Sequence, residues 1–234
     1  MRMKFENILF IDIETVGIVQ NFEELSESLK LLWGKKCKNS IKEYEEIGVE
    51  NCFESKAGIF SEFGKIVNIS VGKLFYEKNS LSIKSFHSEN ELEILKDFKN
   101  FIEKYDQDLL IFCGHNIKEF DIPYICRRIV LNSIELPKVL NISGKKPWEI
   151  KNLDTMEMWS FGDKKNFTSL ELLATIFNIP SPKENMCGSD VHRVFYQEKN
   201  LEKISNYCNK DVVTVVNLFL KMKNLNLVSN FDFK

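Results

Sequence analysis

Asn7-Ile8-Leu9-Phe10-Ile11-Asp12-Ile13-Glu14-Thr15 is the stretch whose reading decides the fold. Asn7–Ile13 is a short apolar run bounded by polar residues, the pattern of a buried strand that delivers Asp12 and Glu14 at its end. Strand side chains alternate, so Asp12 and Glu14 point to one face while Ile11 and Ile13 point to the other. Carboxylates gathered this way repel one another unless cations stand between them. This is the geometry that two ligands of one metal cluster require.

Downstream of this strand, a charged helical stretch runs from about Asn21 to Glu54. Leu25, Leu29, Leu32 and Trp33 fall at helical spacing there, and Ser40 with Glu43 makes a capping-box pattern for a second helix. Residues from about 20 to 60 form an insertion directly after the acidic strand end, where a lid or wall over a site would stand. Lys65–Tyr76 and Leu81–Phe86 read as antiparallel neighbours joined by the turn Glu77-Lys78-Asn79-Ser80. Ser88 and Glu91 predict a capped helix to about Tyr105, and Leu109–Cys113 a further buried strand. A helix follows over roughly Glu119–Asn132, then a short strand at Ile150–Leu153. Thr168 with Glu171 predicts another capped helix, ended by Ile179-Pro180-Ser181-Pro182, and a last amphipathic helix covers about Leu201–Met222. Strands early and helices interleaved, then dominant, predict a three-layer α/β fold with a mixed central sheet.

The chain of 234 residues suits one domain with a helical insertion, and 44% hydrophobic residues suffice for a real core. A net charge of −2 argues against a protein that coats nucleic acid by bulk attraction. It does not argue against an enzyme whose site brings metal charge and a few local lysines. Six cysteines with no C-x-x-C, and three histidines without zinc spacing, predict free thiols in a reducing, cytoplasmic setting. Cys113 and Cys208 read as buried small hydrophobes rather than ligands. No targeting or membrane-spanning segment is evident, since Asp12 interrupts the apolar run.

Two further motifs complete the pattern: Asp121 in His-Asn-Ile-Lys-Glu-Phe-Asp-Ile-Pro-Tyr, and Tyr207 with Asp211 in Tyr-Cys-Asn-Lys-Asp. Tyr207 and Asp211 lie one helical turn apart on one face. Singly each motif is weak: Asp12 can cap a turn and Asp211 can be a helix surface charge. Their order and placement carry the weight. Together they resemble the DEDD superfamily of 3′–5′ exonucleases, in the branch with a tyrosine in its last motif. The chain is similar to stand-alone predicted exonucleases related to the proofreading domain of family B DNA polymerases. Phe-Asp-Ile-Pro-Tyr with Arg127 or Arg128 just beyond, and the stretches Lys65–Gly72, Trp148–Gly162, Ser169–Leu173 and Ser181–Lys183, extend the likeness across most of the chain outside the insertion.

The resemblance implies a ribonuclease-H-like fold and removal of nucleotides from a 3′ end. Carried over residue by residue, Asp12, Glu14, Asp121 and Asp211 would hold two Mg²⁺ or Mn²⁺ ions, and Tyr207 would orient the attacking water. Oxygen ligands suit hard cations of this kind. Thr15, Val16, Asn116 and Phe120 would border the terminal nucleotide, and Lys183 would meet phosphate. The expected substrate is single-stranded DNA, with no polymerase module on the same chain. The same chemistry on RNA, or a catalytically silent module binding nucleic acid or a polymerase partner, stands as the alternative. His115 is expected as a hydrogen-bonded strand-end residue, Asp154 as a helix cap, and Trp148 and Trp159 as core residues, with base stacking the other reading for Trp148, Trp159 and Phe161. The lysine pairs 35/36, 145/146 and 164/165 read as solvated surface.

Overall fold

A computed structural model describes residues 5–42, 44–163, 167–180 and 186–234. Its strands are β1 (Ile8–Gly17), β2 (Gly64–Phe75), β3 (Ser80–His87), β4 (Ile111–Gly114), β5 (Leu153–Asp154) and β6 (Asn230–Phe233). They form one sheet in the order β5-β4-β1-β2-β3-β6. The acidic strand β1 is central: it pairs antiparallel with β2 and parallel with β4. Asn79 turns the β2–β3 connection in the left-handed conformation at φ 47°, at the expected place. The short edge strand β6, parallel to β3, has no counterpart among the expected elements.

After β1 the insertion forms α1 (Glu27–Ser40), α2 (Tyr44–Ile47) and α3 (Val49–Lys56) around its own cluster of Leu25, Trp33, Cys37, Phe53 and Phe63. Trp33 organises it, with its ring 5.0 Å from Phe63 and 5.4 Å from Phe53 and its Nε1 donating to the Val49 carbonyl at 3.0 Å. Leu32 faces solvent. The expected second cap does not form, because Ser40 is the last residue of α1; Glu43 lies outside the described residues. Ser26 caps α1 instead, accepting from the Leu29 amide.

Helices α4 (Glu91–Ile102) and α5 (Asp121–Leu131) pack on Leu9, Ile11, Ile13, Ile69 and Val71. The opposite face, carrying Ile8, Phe10, Leu81 and Ile83, is covered by α9 (Leu201–Met222); between them in sequence lie α6 (Thr155–Ser160), α7 (Leu170–Ile176) and α8 (Val191–Arg193). The result is the expected three-layer α/β arrangement around a mixed sheet. Gly72 lets α9 approach closely, since a Cβ there would sit 2.8 Å from Val212 Cγ1.

Two further caps differ from expectation by one or two residues. Asn90 rather than Ser88 caps α4, which frees Glu91 to turn inward, and Ser169 rather than Thr168 caps α7. Asn, Ser and Thr all serve as N-caps, so spacing alone does not choose between neighbouring candidates.

Candidate active site

The site forms where β1, α5 and α9 meet. Alternation along β1 turns Asp12 and Glu14 toward α9, whose i, i+4 pair Tyr207 and Asp211 sits on the facing side. Asp121 arrives from the opposite layer as the first residue of α5. It is buried, and its Oδ1 accepts the Ile13 amide at 3.2 Å, which fastens the helix N-terminus to the acidic strand. A register shift between Glu14 and Thr15 leaves Val67 of β2 unpaired as a bulge, just past the two carboxylates.

Cys208, one residue beyond Tyr207, donates its thiol to Asp12, at 3.1 Å to Oδ2 and 3.3 Å to the carbonyl oxygen. One ligand-type atom each from Asp12, Glu14 and Cys208 falls within 4.8 Å of the others. Cys208 is thus more than the small hydrophobe its surroundings suggest. It stands three residues before Asp211, on the same helix face.

The electrostatics are those of anions taken out of water. Burial, then repulsion from Asp211 and Asp121, holds the Asp12 carboxyl well above the ordinary carboxylate range. Glu14 is raised in the same way by burial and by Asp12, Asp211 and Asp121. Burial pushes Asp121 up to about 7 against the lowering effect of its own amide and that of Ile13. Asp211 is pushed up to about 6 by burial, offset by a hydrogen bond from Tyr207. The Tyr207 hydroxyl is raised by burial and then by Asp211, Glu14 and Asp12, so the phenol keeps its proton and acts as a donor. Burial likewise keeps Cys208 a thiol. Four carboxylates so arranged oppose one another's ionisation, and their oxygens are hard donors of the kind that Mg²⁺ and Mn²⁺ take.

Around this centre, the residues expected at the substrate fall into different environments. Thr15 donates to the Gly58 carbonyl at 2.7 Å, which ties β1 to the end of the insertion. Val16 is buried among Val191, Val194 and Ile204, so it is not open to a ligand in this structure. Asn116 adopts φ 61° at the end of β4, and its Oδ1 is buried without a partner. Phe120, half-buried, rests its ring 5.4 Å from Tyr124. Lys183 and the pair 164/165 lie outside the described residues.

His115 is hydrogen-bonded to Thr155 Oγ1 and to the Thr168 carbonyl, both at 2.9 Å, as expected of a strand-end histidine. Asp154 caps α6 as expected and also accepts the Asn116 and Lys118 amides at 2.9 and 3.1 Å. That second task was not legible from its position. Trp159 packs against Phe177, but Trp148 is 78% exposed, which corrects its expected place in the core. Trp148 follows Pro147 in a single 3₁₀ turn at the surface, where no element among the described residues covers it. Phe161 is also exposed.

Comparisons with known proteins agree with this geometry. No curated protein matches the chain. The family B DNA polymerase of the archaeon Pyrobaculum calidifontis shares its fold with a TM-score of 0.58 at 14% identity, over 92% of this chain. The chain spans 24% of that polymerase's length. The shared architecture is consistent with a ribonuclease-H-like fold. Residues 59–231 match the model of a family described as "Predicted 3'-5' exonuclease related to the exonuclease domain of PolB". That span contains Asp121, Tyr207 and Asp211 but begins after Asp12 and Glu14, whose carboxyls feel the charges of Asp121 and Asp211. With most of its length matched, the chain belongs to this family of predicted 3′–5′ exonucleases related to the exonuclease domain of PolB.

Proposed function

We propose that residues 1–234 act as one metal-dependent exonuclease unit that removes nucleotides from the 3′ end of single-stranded DNA. The observation that carries this reading is the convergence of four mutually repelling carboxylates from three distant chain segments beside a protonated tyrosine. Asp12, Glu14, Asp121 and Asp211 hold two Mg²⁺ or Mn²⁺ ions. When bound, such ions lower the pKa of water and stabilise the leaving oxygen in phosphodiester cleavage. Tyr207, kept protonated by burial and its acidic neighbours, orients the attacking water through its hydroxyl rather than removing a proton. Thr15 and Val16 at the end of β1, the Asn116 amide with its unpartnered oxygen, and the Phe120 ring border the terminal nucleotide, and Lys183 meets a phosphate. Kinship with an exonuclease domain of DNA polymerases supports DNA as the substrate. Six free cysteines support a reducing, cytoplasmic setting. Among the described residues no helix is long and apolar enough to cross a membrane.

A 5′-labelled single-stranded oligonucleotide tests the reading. Shortening from the 3′ end should require Mg²⁺ or Mn²⁺, stop at a 3′-phosphate block, and fall by about 10²–10³-fold or more in Asp12→Ala. Unchanged turnover in that variant, or digestion that ignores the block, overturns it.

A further inference from the structure

Helix α4 covers its face of the sheet only in part. Directly opposed residues of neighbouring strands share a face, and the register pairs Val71 with Lys84, Lys73 with Ser82, and Phe75 with Ser80. Val71 is buried under α4 and α5, but past the last turn of α4 Phe75 and Lys84 are exposed and Lys73, Ser80 and Ser82 half-exposed among the described residues, on the side of the sheet away from α9. With Phe101 and Tyr105 as one wall, they line a cavity of about 410 Å³. A second hollow of about 360 Å³ shares Lys84 and Phe101 and continues toward His87 and Lys104.

Ammonium groups and aromatic rings alternate along this surface. Lys73 lies 5.4 Å from the centre of the Tyr105 ring, and Lys84 lies 5.1 Å and 5.5 Å from those of Phe86 and Phe101. Lys78 reaches over Phe75, itself 43% exposed, at 5.9 Å. Five lysines and two aspartates line the two hollows, in a chain whose net charge is −2. One of those aspartates, Asp232, is already engaged by Lys234 at 3.2 Å. Among the described residues, no carboxylate lies at ion-pair distance from Lys78, Lys84 or Lys104.

We propose that this face is an exosite for a single strand of nucleic acid, which holds the part of the substrate upstream of the 3′ end being cut. The inference rests on the nuclease reading for its substrate. A cation beside an exposed ring offers one contact to a phosphate and one to a base face, which is how strands are gripped without regard to sequence. The acidic centre repels phosphates, so affinity for a long strand has to come from elsewhere on the molecule. Strand β3 leads from the cavity to His87, which pairs with Asn68, the partner of Glu14; these three share the α9 face, so a strand held in the cavity rounds the end of β3 to reach the cutting centre. Eight residues of strand span about 26 Å, which sets the exosite several nucleotides from the cutting centre.

The test compares wild type with Lys78→Gln/Lys84→Gln and with Phe75→Ala. Their melting temperatures should match, because all three side chains are exposed. Binding of a long fluorescent oligothymidine in chelator, by anisotropy, should weaken about tenfold in each variant. The slope of log K against log salt should shrink by about 0.7 per lysine removed. In turnover, KM for the long strand should rise while kcat and the cleavage of a dinucleotide stay unchanged. Wild-type affinity and salt slope in the lysine variant overturn the proposal. So does competition by polyglutamate equal to that by oligonucleotide together with an inert Phe75→Ala, since that describes a surface for an acidic protein segment. Because the binding arm needs no catalysis, loss of binding in the variants of a protein that never cleaves would leave the exosite standing and remove only the nuclease reading.

Discussion

At the residue scale, the acidic centre stores repulsion that a cation relieves. Its carboxyls titrate above their ordinary value of 3.8 for aspartate, Asp121 at about 7 and Asp211 at about 6. The folded protein therefore carries protons that the unfolded chain has already lost between about pH 4 and about pH 7. Stability of the metal-free protein should fall as pH rises through that window, because the native state binds more protons there. Thermal melting in chelator should give a lower Tm at about pH 8 than at about pH 5, and Mn²⁺ should narrow the gap by replacing the protons. A metal-free Tm that climbs with pH would contradict the burial of these groups. Periodicity alone put Asp12 and Glu14 on one strand face and Tyr207 and Asp211 on one helix face; the grouping of these four with Asp121 was expected from the family resemblance. The Cys208 thiol on Asp12 was not: a small buried cysteine has the same pattern whether or not it donates.

At the element scale, the position of α5 decides where Asp121 sits, and a buried ion pair helps to hold it. Arg128 clasps Glu91 of α4 through two bonds of 2.6 and 2.8 Å and donates to the Ser61 carbonyl at 2.9 Å. The same Glu91 carboxylate accepts the Ile66 amide of β2 at 2.7 Å. Two helices, a strand and the end of the insertion thus share one charge pair. Arg128→Ala should cost about 3–5 kcal/mol by urea denaturation, since it strands Glu91 in the interior. Replacing Glu91 by Gln in the same chain should recover part of that loss; a cost under about 1 kcal/mol for Arg128→Ala would show that the pair is not needed to hold α5. The helix and strand positions were largely readable, with α9 found at Leu201–Met222 as expected. Glu91 was misread as half of a capping box because its pairing partner lies 37 residues away.

At the scale of the whole molecule, local pattern loses its reach. The short strand expected at Ile150–Leu153 forms as β5 at Leu153–Asp154, with only Leu153 in common, and the four-residue β6 was not expected; both are held by the ladder of a neighbouring strand. The insertion was visible as a block, but its core around Trp33 and its link to Thr15 through Gly58 arise from tertiary packing. The uncovered lysine-bearing face of β2 and β3 was equally hidden, since it depends on where α4 stops. The meeting of β1, α5 and α9 was expected from the family resemblance, and the account stands on that meeting. The most direct test is anomalous diffraction from a crystal soaked with Mn²⁺ and a nucleoside monophosphate. Two manganese peaks held by oxygens of Asp12, Glu14, Asp121 and Asp211 are the predicted result. Manganese bound elsewhere, with those carboxylates out of coordinating reach of one another, would contradict the account.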